Sequence, residues 1–335
     1  MKIAIANTDF NGFNQQWIQY CIINNIEFKL VNAYEPDIID QLKEFNIFLW
    51  HFSHGDYRDM IFAKSLLFSL SQRGLKVFPN FNTCWHFDDK IAQKYLIESL
   101  NIPFINTWIF YSKEDTMKWI EANTFPKVFK LRCGASSSNV ILIKNKKKAK
   151  TIANKMFKNG ISPFNSIGYL KERFNKYLLG KDSLFGILKG VIRLIIKTKF
   201  SKMSNREKGY VYFQEFIPNN GFDIRIIVIG EKAFGIKRLV RKNDFRASGS
   251  GMIIYDKDQI DIRCVKIAFD ANLKIKSQCI AFDFVFDNND PKIIEISYGF
   301  LQTVYEKCEG YWDYNLHWHS GKIFPQYWQI ENLIQ

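Results

Sequence analysis

Long hydrophobic runs are missing from this sequence. The longest nearly apolar stretch is about ten residues, half of the roughly 20 that a helix needs to cross a bilayer. We therefore expect no transmembrane helix. The opening residues, MKIAIANTDF, turn polar from Asn7 onward, before the apolar core of a secretory signal could form. The sequence therefore predicts a protein that stays in the cytoplasm.

Cysteine is present, but without the spacing that builds disulfide frameworks or zinc sites. The six cysteines include no CxxC pair, so we interpret them as free thiols in a reducing compartment. Two nucleotide-binding signatures are also missing. No GxGxxG follows the first apolar run, and no GxxxxGK followed by Ser or Thr occurs anywhere. Their absence argues against a dinucleotide-binding domain and an ordinary P-loop.

Positive charge is in excess, but only in one segment. The chain has 47 Lys and Arg residues against 33 Asp and Glu residues, a formal net charge of +14. Residues 144–208 contain 18 of the basic residues and three of the acidic ones, which leaves 29 basic and 30 acidic residues elsewhere. A basic insertion in a neutral chain differs from a basic nucleic-acid-binding domain. We therefore expect no nucleic-acid partner.

Apolar periodicity predicts an α/β protein. Short apolar runs alternate with helix-spaced patterns near the N-terminus, in the order 2–6, 11–25, 28–31, 36–44, 46–50, 59–74 and 76–78. This β-α-β alternation predicts an open parallel sheet with helices on both faces. Farther along, Gly230 and residues 287–290 mark two hairpin turns. The length of 335 residues predicts two or three domains.

Two acidic residues interrupt apolar strands near the C-terminus. Asp283 lies within IAFDFVF and Glu295 within KIIEIS, two runs that a short turn joins into a hairpin. A buried pair of carboxylates repels itself unless a cation compensates. Mg²⁺ binds one or two carboxylates together with phosphate oxygens and fits this arrangement. The alternative is a pair of outward-facing acids on a solvated sheet surface.

Two further segments have the composition of an anion site. In FPKVFKLRCGASSSNV, a strand ends at Lys130 and a turn of small residues follows, where backbone N–H groups can approach phosphate oxygens. Downstream, Asp223 and Arg225 alternate with apolar residues, and Lys237 and Arg238 end the next strand. Fixed cations of this kind suit a polyphosphate. A Ser-rich hairpin and generic surface charge are the alternatives.

The order of these segments resembles the ATP-grasp carboxylate–amine ligases, among them D-alanine:D-alanine ligase, glutathione synthetase and the glutamate ligases that modify ribosomal protein tails. The similarity covers about 88–298. It implies an α/β fold, α+β in its C-terminal part, in which two lobes that hold ATP follow a parallel α/β domain. The implied domains are 1–86, 87–213 with a lid loop at 133–139 and the basic helical insertion at 144–208, and 214–335 with the Mg²⁺ site and an aromatic tail.

The resemblance also implies a role for each motif residue. The residues matched to nucleotide binding are Lys90, Lys130, Gly134, Ala135, Ser136, Ser137, Ser138, Gln214, Glu215, Phe216, Ile217, Asp223 and Lys237. Those matched to catalysis at the phosphates or the substrate are Lys237, Arg238 and Arg246. Asp283, Glu295 and Ser297 match the Mg²⁺ ligands. Ser297 stands where these enzymes usually have Asn, which implies weaker binding of one of two Mg²⁺ ions.

The resemblance implies an ADP-forming ligase that uses ATP and Mg²⁺ and makes an amide through an acyl phosphate. The C-terminal tail, the KLRCGASSSNV segment and the basic insertion resemble a branch found among bacterial surface-polysaccharide genes. That branch implies an amino acid or small acid joined to an amino sugar, itself carried on a nucleotide or a lipid. The alternatives are an amino-acid ligase acting on a peptide or protein tail, and a non-catalytic nucleotide- or membrane-binding module.

Three further features have open interpretations. Within 180–202, apolar residues at helix spacing are flanked by lysines, so this stripe either contacts an anionic membrane surface from the cytoplasmic side or packs on the central lobe. His51 and His54 follow the third predicted strand, at the edge where open α/β sheets bind substrate. The aromatic tail either stacks on sugar rings or packs as the core of a lobe.

Overall fold

The computed structural model of this chain describes residues 1–8, 12–134, 139–163, 205–241 and 244–335, together with nine single positions between 170 and 191. The predicted loop residues Ala135, Ser136, Ser137 and Ser138 lie outside the described residues, as does most of the predicted stripe at 180–202. No helix in the described part of the chain is long and apolar enough to span a bilayer.

The N-terminal residues form an open parallel sheet. Its strands, in the order β2-β1-β3-β4, are β1 (Lys2–Ala6), β2 (Glu27–Val31), β3 (Ile47–Leu49) and β4 (Lys76–Phe78). All three neighbouring pairs are parallel, because helices return the chain between them: α1 (Asn14–Ile23), α2 (Ile38–Gln41) and α3 (Tyr57–Gln72). The predicted β-α-β alternation is confirmed.

A second sheet is antiparallel and follows two helices, α4 (Phe81–Cys84) and α5 (Lys90–Ser99). Its strands, in the order β5-β8-β6-β7, are β5 (Thr107–Phe110), β6 (Lys127–Lys130), β7 (Val140–Ile143) and β8 (Val211–Glu215). Helices α6 (Lys113–Ala122) and α7 (Lys146–Phe157) complete this lobe, whose core contains the buried side chains of Phe129, Met156 and Phe213. The basic insertion separates α7 from β8.

A third sheet of seven strands forms the C-terminal part. Its main path runs β13-β12-β9-β10-β14-β15, with β11 beside β10. The strands are β9 (Phe222–Ile229), β10 (Lys232–Leu239), β11 (Ile253–Ile254), β12 (Ile280–Asp287), β13 (Asp290–Ser297), β14 (Gly310–Asp313) and β15 (Trp318–Ser320). The helices are α8 (Ile262–Ile275), α9 (Gln302–Tyr305) and α10 (Pro325–Ile334). Gly230 turns the hairpin between β9 and β10 as predicted, with a positive φ of 57°.

The two faces of the third sheet pack on different partners. Even-numbered residues of β9, such as Ile226, share a core with α8. Odd-numbered residues, such as Ile227 and Ile229, belong to the core of the N-terminal sheet, because successive side chains of a strand point to opposite faces. Helix α10 joins the same core, where Trp17 Nε1 donates to Gln329 Oε1 at 2.9 Å. The odd face of β9 therefore looks toward the junction with the N-terminal sheet.

The aromatic tail contributes to these cores. Trp312 and Trp328 are buried, and the Trp312 and Trp318 rings lie 4.7 Å apart, edge to face. Tyr311 and Trp328 pack at 5.1 Å. These contacts favour the packed-lobe interpretation of the tail over an exposed stacking surface for sugars.

Candidate active site

Strand register brings five charged residues together on the face of the third sheet opposite α8. Asp283 on β12 lies directly across from Glu295 on β13 and, on its other side, from Arg225 on β9. Asp223 on β9 lies across from Arg238 on β10. The predicted neighbourhood of Asp283 and Glu295 is therefore present, and the acids face the sheet junction rather than open solvent.

Two arginines hold two aspartates in a buried network. Arg225 Nε donates to Asp283 Oδ1 at 2.6 Å, and Arg238 Nη2 lies 3.1 Å from the same oxygen. Arg238 also makes a two-pronged contact with Asp223, at 2.6 and 2.8 Å. The side chains of Asp223, Asp283 and Arg238 are each only 8% exposed. Buried charges of this kind are stable only as a complete set.

The two aspartates respond differently to this environment. Burial would raise the pKa of Asp283, but Arg225 and Arg238 outweigh it and hold that pKa below its usual range. Burial raises the pKa of Asp223 to about 6, although Arg238 opposes the change. The difference has a geometric cause, since Asp283 contacts both arginines whereas Asp223 contacts one and adjoins the negative charge of Asp283. Asp283 therefore stays ionised to lower pH than Asp223, which is the first of the two to take up a proton as the pH falls toward 6.

Tyr305 supports this network from α9. Its buried ring packs between Phe234 and Phe300, with centroids 5.5 and 5.4 Å away. Burial raises the pKa of its hydroxyl, and the nearby charge of Arg225 opposes that rise. The sequence carries no local signal for Tyr305, because it approaches the cluster from a separate helix.

Two buried lysines reach β13 from the second lobe. Lys90 begins α5, and its Nζ donates to the Gly134 carbonyl at 2.7 Å and lies 3.3 Å from Glu295 Oε1. Lys130 ends β6, and its Nζ donates to the Ile294 carbonyl at 3.4 Å. Burial lowers the pKa of Lys130 to about 8. For Lys90, the charges of Glu295 and other acids outweigh burial and raise the pKa.

The predicted linker lies at the end of β8. Gln214 is buried, and its Nε2 donates to Thr107 Oγ1 at 3.1 Å and to the Ile294 carbonyl at 3.4 Å. Glu215 accepts two hydrogen bonds from Lys127 Nζ, at 2.7 and 2.9 Å. Lys127 was not predicted as a site residue, although a lysine that opens an apolar strand opposite Glu215 could have indicated the pair.

Comparison with protein-family models gives no match, and no curated protein sequence matches the chain. Solved structures do match. The RimK-domain ATP-grasp protein of Sphaerobacter thermophilus superposes on 100% of this chain and 99% of its own, with a TM-score of 0.57 and 13% identity. The D-alanine–D-alanine ligase of Bacillus anthracis, solved with ATP, covers 89% of this chain and 86% of its own, with a TM-score of 0.53 and 14% identity. A third match is the biotin carboxylase domain of Hydrogenobacter thermophilus 2-oxoglutarate carboxylase, solved with MgADP, ADP and bicarbonate. It covers 99% of this chain and 69% of its own, with a TM-score of 0.59 and 12% identity.

The chain has the ATP-grasp fold. The predicted fold class is thereby confirmed, while the three domain boundaries stay predictions. In this ATP-grasp chain, the buried charges of the third sheet and the lysines of the second lobe meet along β13.

One predicted ATP-grasp residue does not join the cluster. The Nζ of Lys237 lies 4.2 Å from the centroid of the Phe222 ring and donates to Gln259 Oε1 at 3.2 Å. It therefore lies on the α8 face of β10, opposite Arg238, because neighbouring residues of a strand alternate in direction. Of the two adjacent cations assigned to the phosphates, the structure brings only Arg238 to the carboxylates.

Three other predicted residues have local partners. Arg246 lies in the loop after β10, and its Nη2 contacts Asp244 at 2.7 Å. The Ser297 hydroxyl is bonded to the backbone of Gly299, at 3.2 Å to both N and O. Phe216, at the end of the linker, packs edge to face on Phe245 at 5.8 Å.

His51 has a packing role in this structure. Its ring stacks on Phe13 at 3.7 Å, and its Nδ1 accepts the Phe13 N–H at 3.2 Å. Burial lowers the pKa of His51 to about 3, so the ring is neutral at physiological pH. His54 lies nearer the rim, edge to face with Phe87 at 5.8 Å. Substrate contact by either histidine stays a prediction.

Proposed function

We propose that this chain is an ATP-dependent carboxylate–amine ligase that forms an amide through an acyl phosphate. The observation that carries the proposal is the convergence of Lys90 and Lys130 on β13, beside the Asp283–Glu295 pair. Buried cations from one lobe next to buried carboxylates from the other suit a polyphosphate with its metal ion. The ATP-grasp fold agrees with this assignment, and several neighbours by fold were solved with ATP or ADP.

The residues present fit Mg²⁺. Asp283 is ionised, and its Oδ2 accepts a long hydrogen bond from Arg225 Nη2 at 3.3 Å. Glu295 lies opposite in register and is 30% exposed. Among the described residues no group of three or more His, Cys, Asp or Glu side chains could hold a metal ion, so phosphate oxygens would complete the coordination sphere. When bound there, Mg²⁺ would neutralise charge on the phosphates.

The chain's own residues would act on ATP as follows. Lys90, Lys130 and Arg238 bind and orient the phosphates, and the backbone of the linker, residues 214–217, reads the adenine edge. Asp223 is assigned to the ribose by resemblance, but its bidentate contact with Arg238 makes it a partner of that arginine in this structure. Arg246 is assigned to substrate or phosphate.

The proposed reaction has two steps. An oxygen of the acid substrate bonds to the γ-phosphorus of ATP while the bond to the bridging oxygen of ADP breaks, which yields the acyl phosphate. The amine then attacks the carbonyl carbon, loses a proton and expels inorganic phosphate, leaving the amide. Fixed guanidinium and ammonium groups stabilise the charge that moves onto the departing ADP. Water must be excluded, since it would hydrolyse the acyl phosphate.

For the substrates, we propose an amino acid or small acid and an amino sugar used in surface-polysaccharide synthesis. The support is the resemblance of the tail, the KLRCGASSSNV segment and the basic insertion to that branch. A peptide- or protein-tail amino-acid ligase is the second candidate, favoured by the superposition on a RimK-domain protein over nearly the whole length of both chains. A non-catalytic binding module is the third.

The first experiment tests catalysis before the amine is known. Hydroxylamine, a small nucleophile, replaces the amine and captures an acyl phosphate as a hydroxamate. The purified chain is incubated with MgATP, hydroxylamine and each of a panel of amino acids and small acids, and ADP and hydroxamate are measured. One acid should give both products in equal amounts. Binding of MgATP without turnover of any acid would favour the binding module, and no binding of MgATP would refute the ligase.

The second experiment separates the acceptors. The acid found above is crossed with nucleotide-linked amino sugars, free amino sugars and glutamate-ended peptides, and amide formation is measured by mass spectrometry. Arg238→Ala is measured beside the parent protein, with Lys237→Ala as its matched control, because Lys237 lies on the opposite face of β10 from Arg238. Product with peptides alone would replace the amino-sugar proposal with the peptide-tail ligase.

We also propose that the chain is cytoplasmic and contacts an anionic membrane surface through 180–202. Leu188 and Val191, the two described residues of the predicted stripe, are 53% and 42% exposed. Flotation with anionic liposomes at low salt tests this, with deletion of 180–202 as the control. No flotation, or flotation that the deletion leaves unchanged, would refute membrane contact.

A further inference from the structure

Residues 132–134, where the predicted lid loop 133–139 begins, are held by carboxylates from two distant parts of the chain. Glu207 Oε2 accepts the Arg132 N–H at 3.0 Å, and Glu207 Oε1 accepts the Cys133 N–H at 3.2 Å. The Tyr210 hydroxyl donates to Glu207 and accepts the Arg132 N–H at 2.7 Å. Both carboxylate oxygens of Glu207 are thus used by consecutive backbone donors. We call residues 132–134 the loop root.

The start of α5 holds the other side of the loop root. Asp88 Oδ1 accepts the Gly134 N–H at 2.8 Å. The Lys90 N–H donates to the Arg132 carbonyl at 3.0 Å, and Lys90 Nζ donates to the Gly134 carbonyl at 2.7 Å. The loop root therefore sets where the Lys90 ammonium lies, and this ammonium is also the partner of Glu295.

Glu207 stands where the basic insertion returns to the lobe. Its backbone exchanges two hydrogen bonds with Ile161, both at 2.9 Å. The neighbouring Arg206 donates to the carbonyls of Asn159 and Gly160, at 2.7 and 2.8 Å. The segment between Ile161 and Glu207 thus leaves and returns at one fixed point, and the residue that closes this point also holds the loop root.

We propose that Glu207 is a positioning residue for the phosphate end of the nucleotide site. It acts through the loop root on the Gly134 carbonyl and so on Lys90 and Glu295, and it touches no substrate itself. The proposal rests on the proposed function, because it assumes that Lys90 binds phosphate. In an alanine variant the Cys133 N–H loses its acceptor and the Arg132 N–H keeps only the Tyr210 hydroxyl, so the loop root loses its carboxylate anchor on that side.

Hydrogen exchange and nucleotide binding test the proposal together. Glu207→Ala should speed exchange of the Cys133 amide by about tenfold or more and that of the Arg132 amide less, because the Tyr210 hydroxyl still accepts the Arg132 N–H, with the three sheets unchanged. It should also weaken MgADP binding about tenfold. Glu207→Gln keeps one acceptor oxygen and should lie between the parent and Glu207→Ala in both measurements. Glu121→Gln is the matched control, since its carboxylate pairs with Lys146 and Lys150 in the same lobe.

Each outcome decides the matter. Parent-like exchange at the loop root, or faster exchange there with unchanged MgADP affinity, would overturn the proposal. Faster exchange throughout the lobe in both Glu207 variants would show a general structural role and overturn it as well. If the parent protein binds no MgADP, the proposed function fails, and the exchange of the loop root still reports whether Glu207 anchors it.

Discussion

Replacing Asp283 with Asn should remove both turnover and a large part of the stability of the third sheet. Asp283 is the carboxylate that both arginines contact, Arg225 at 2.6 Å and Arg238 at 3.1 Å. An Asn side chain has no charge to offset two buried guanidinium groups. Removing one partner of a buried ion pair costs about 3–5 kcal/mol. Glu295→Gln should also end turnover but cost only about 1 kcal/mol, because Glu295 is 30% exposed and contacts Lys90 at 3.3 Å.

Calorimetry and a double-mutant cycle measure this difference. If the 335 residues unfold as one unit, their unfolding entropy of about 0.7 kcal/mol/K converts a loss of ~3 kcal/mol into a fall of about 4 °C in melting temperature, and a loss of ~1 kcal/mol into about 1–2 °C. Arg225→Met removes one of the two unpaired cations, so its combination with Asp283→Asn should cost about 1–3 kcal/mol less than the sum of the two changes. Melting of Asp283→Asn within 2 °C of the parent would refute the buried network as a source of stability. Mg²⁺-dependent turnover in that variant would refute the metal assignment.

Four other outcomes follow from the same geometry. Burial lowers the pKa of Lys130 to about 8. MgADP affinity should therefore fall about fivefold from pH 8 to pH 9, because the Lys130 ammonium loses its proton over this range. In a series of MgADP titrations at different pH, Lys130→Arg should remove this dependence. The same shift should make the folded state gain stability as pH rises from about 8 toward 10.5, the ordinary pKa of a lysine, since only the unfolded chain still holds that proton. In the ADP-release assay, Arg238→Ala should reduce turnover at least tenfold and Lys237→Ala less than twofold, because of these two residues only Arg238 faces the carboxylates. Equal losses in the two variants would contradict the assignment of the two residues to opposite faces of β10. Tyr305→Phe should lower kcat several-fold with little change in the KM for ATP, because the hydroxyl supports Arg225 from behind; an unchanged kcat would contradict that role.

The sequence could predict that Asp283 and Glu295 are neighbours because its signal is local. A single acid inside an apolar run is conspicuous, and a short turn between the two runs makes the strands neighbours. Register then places Asp283 opposite Glu295 without any information from the rest of the chain. The N-terminal parallel sheet was predictable for a similar reason, since the alternation of strand and helix patterns leaves few other arrangements.

The face of Lys237 could not be predicted from its strand. In KAFGIKRL both faces are apolar up to Ile236, because β10 lies between α8 and the N-terminal core. Period-two alternation therefore gives no sign of which face looks toward the site. The partners that decide it, Phe222 and Gln259 for Lys237 and Asp283 for Arg238, come from other segments.

Contacts between distant segments could not be predicted from the sequence either, because the partners come from other parts of the chain. The Tyr305 hydroxyl and the Glu207 carboxylate each act on a residue far away along the chain, Arg225 and Arg132 respectively. Glu207 was counted only as one of three acids in a basic insertion. Amino-acid composition gives only the average electrostatic potential of such a segment. The position of a single carboxylate depends instead on where the chain returns to the fold.

Charge balance explains how the site can hold its cations before a nucleotide arrives. Lys90, Lys130, Arg225 and Arg238 each have a carboxylate or carbonyl partner within 3.4 Å. Buried cations without such partners would repel one another and lower each other's pKa, as Lys90 already does to Lys130. A polyphosphate supplies stronger acceptors for the same donors, and the carboxylates so released are free for a divalent metal ion. When nucleotide and metal ion bind, the lysines and arginines would exchange carboxylate or carbonyl partners for phosphate oxygens, and the carboxylates would exchange those cations for the metal ion. The cations would thus have an acceptor before and after binding and would stay in place.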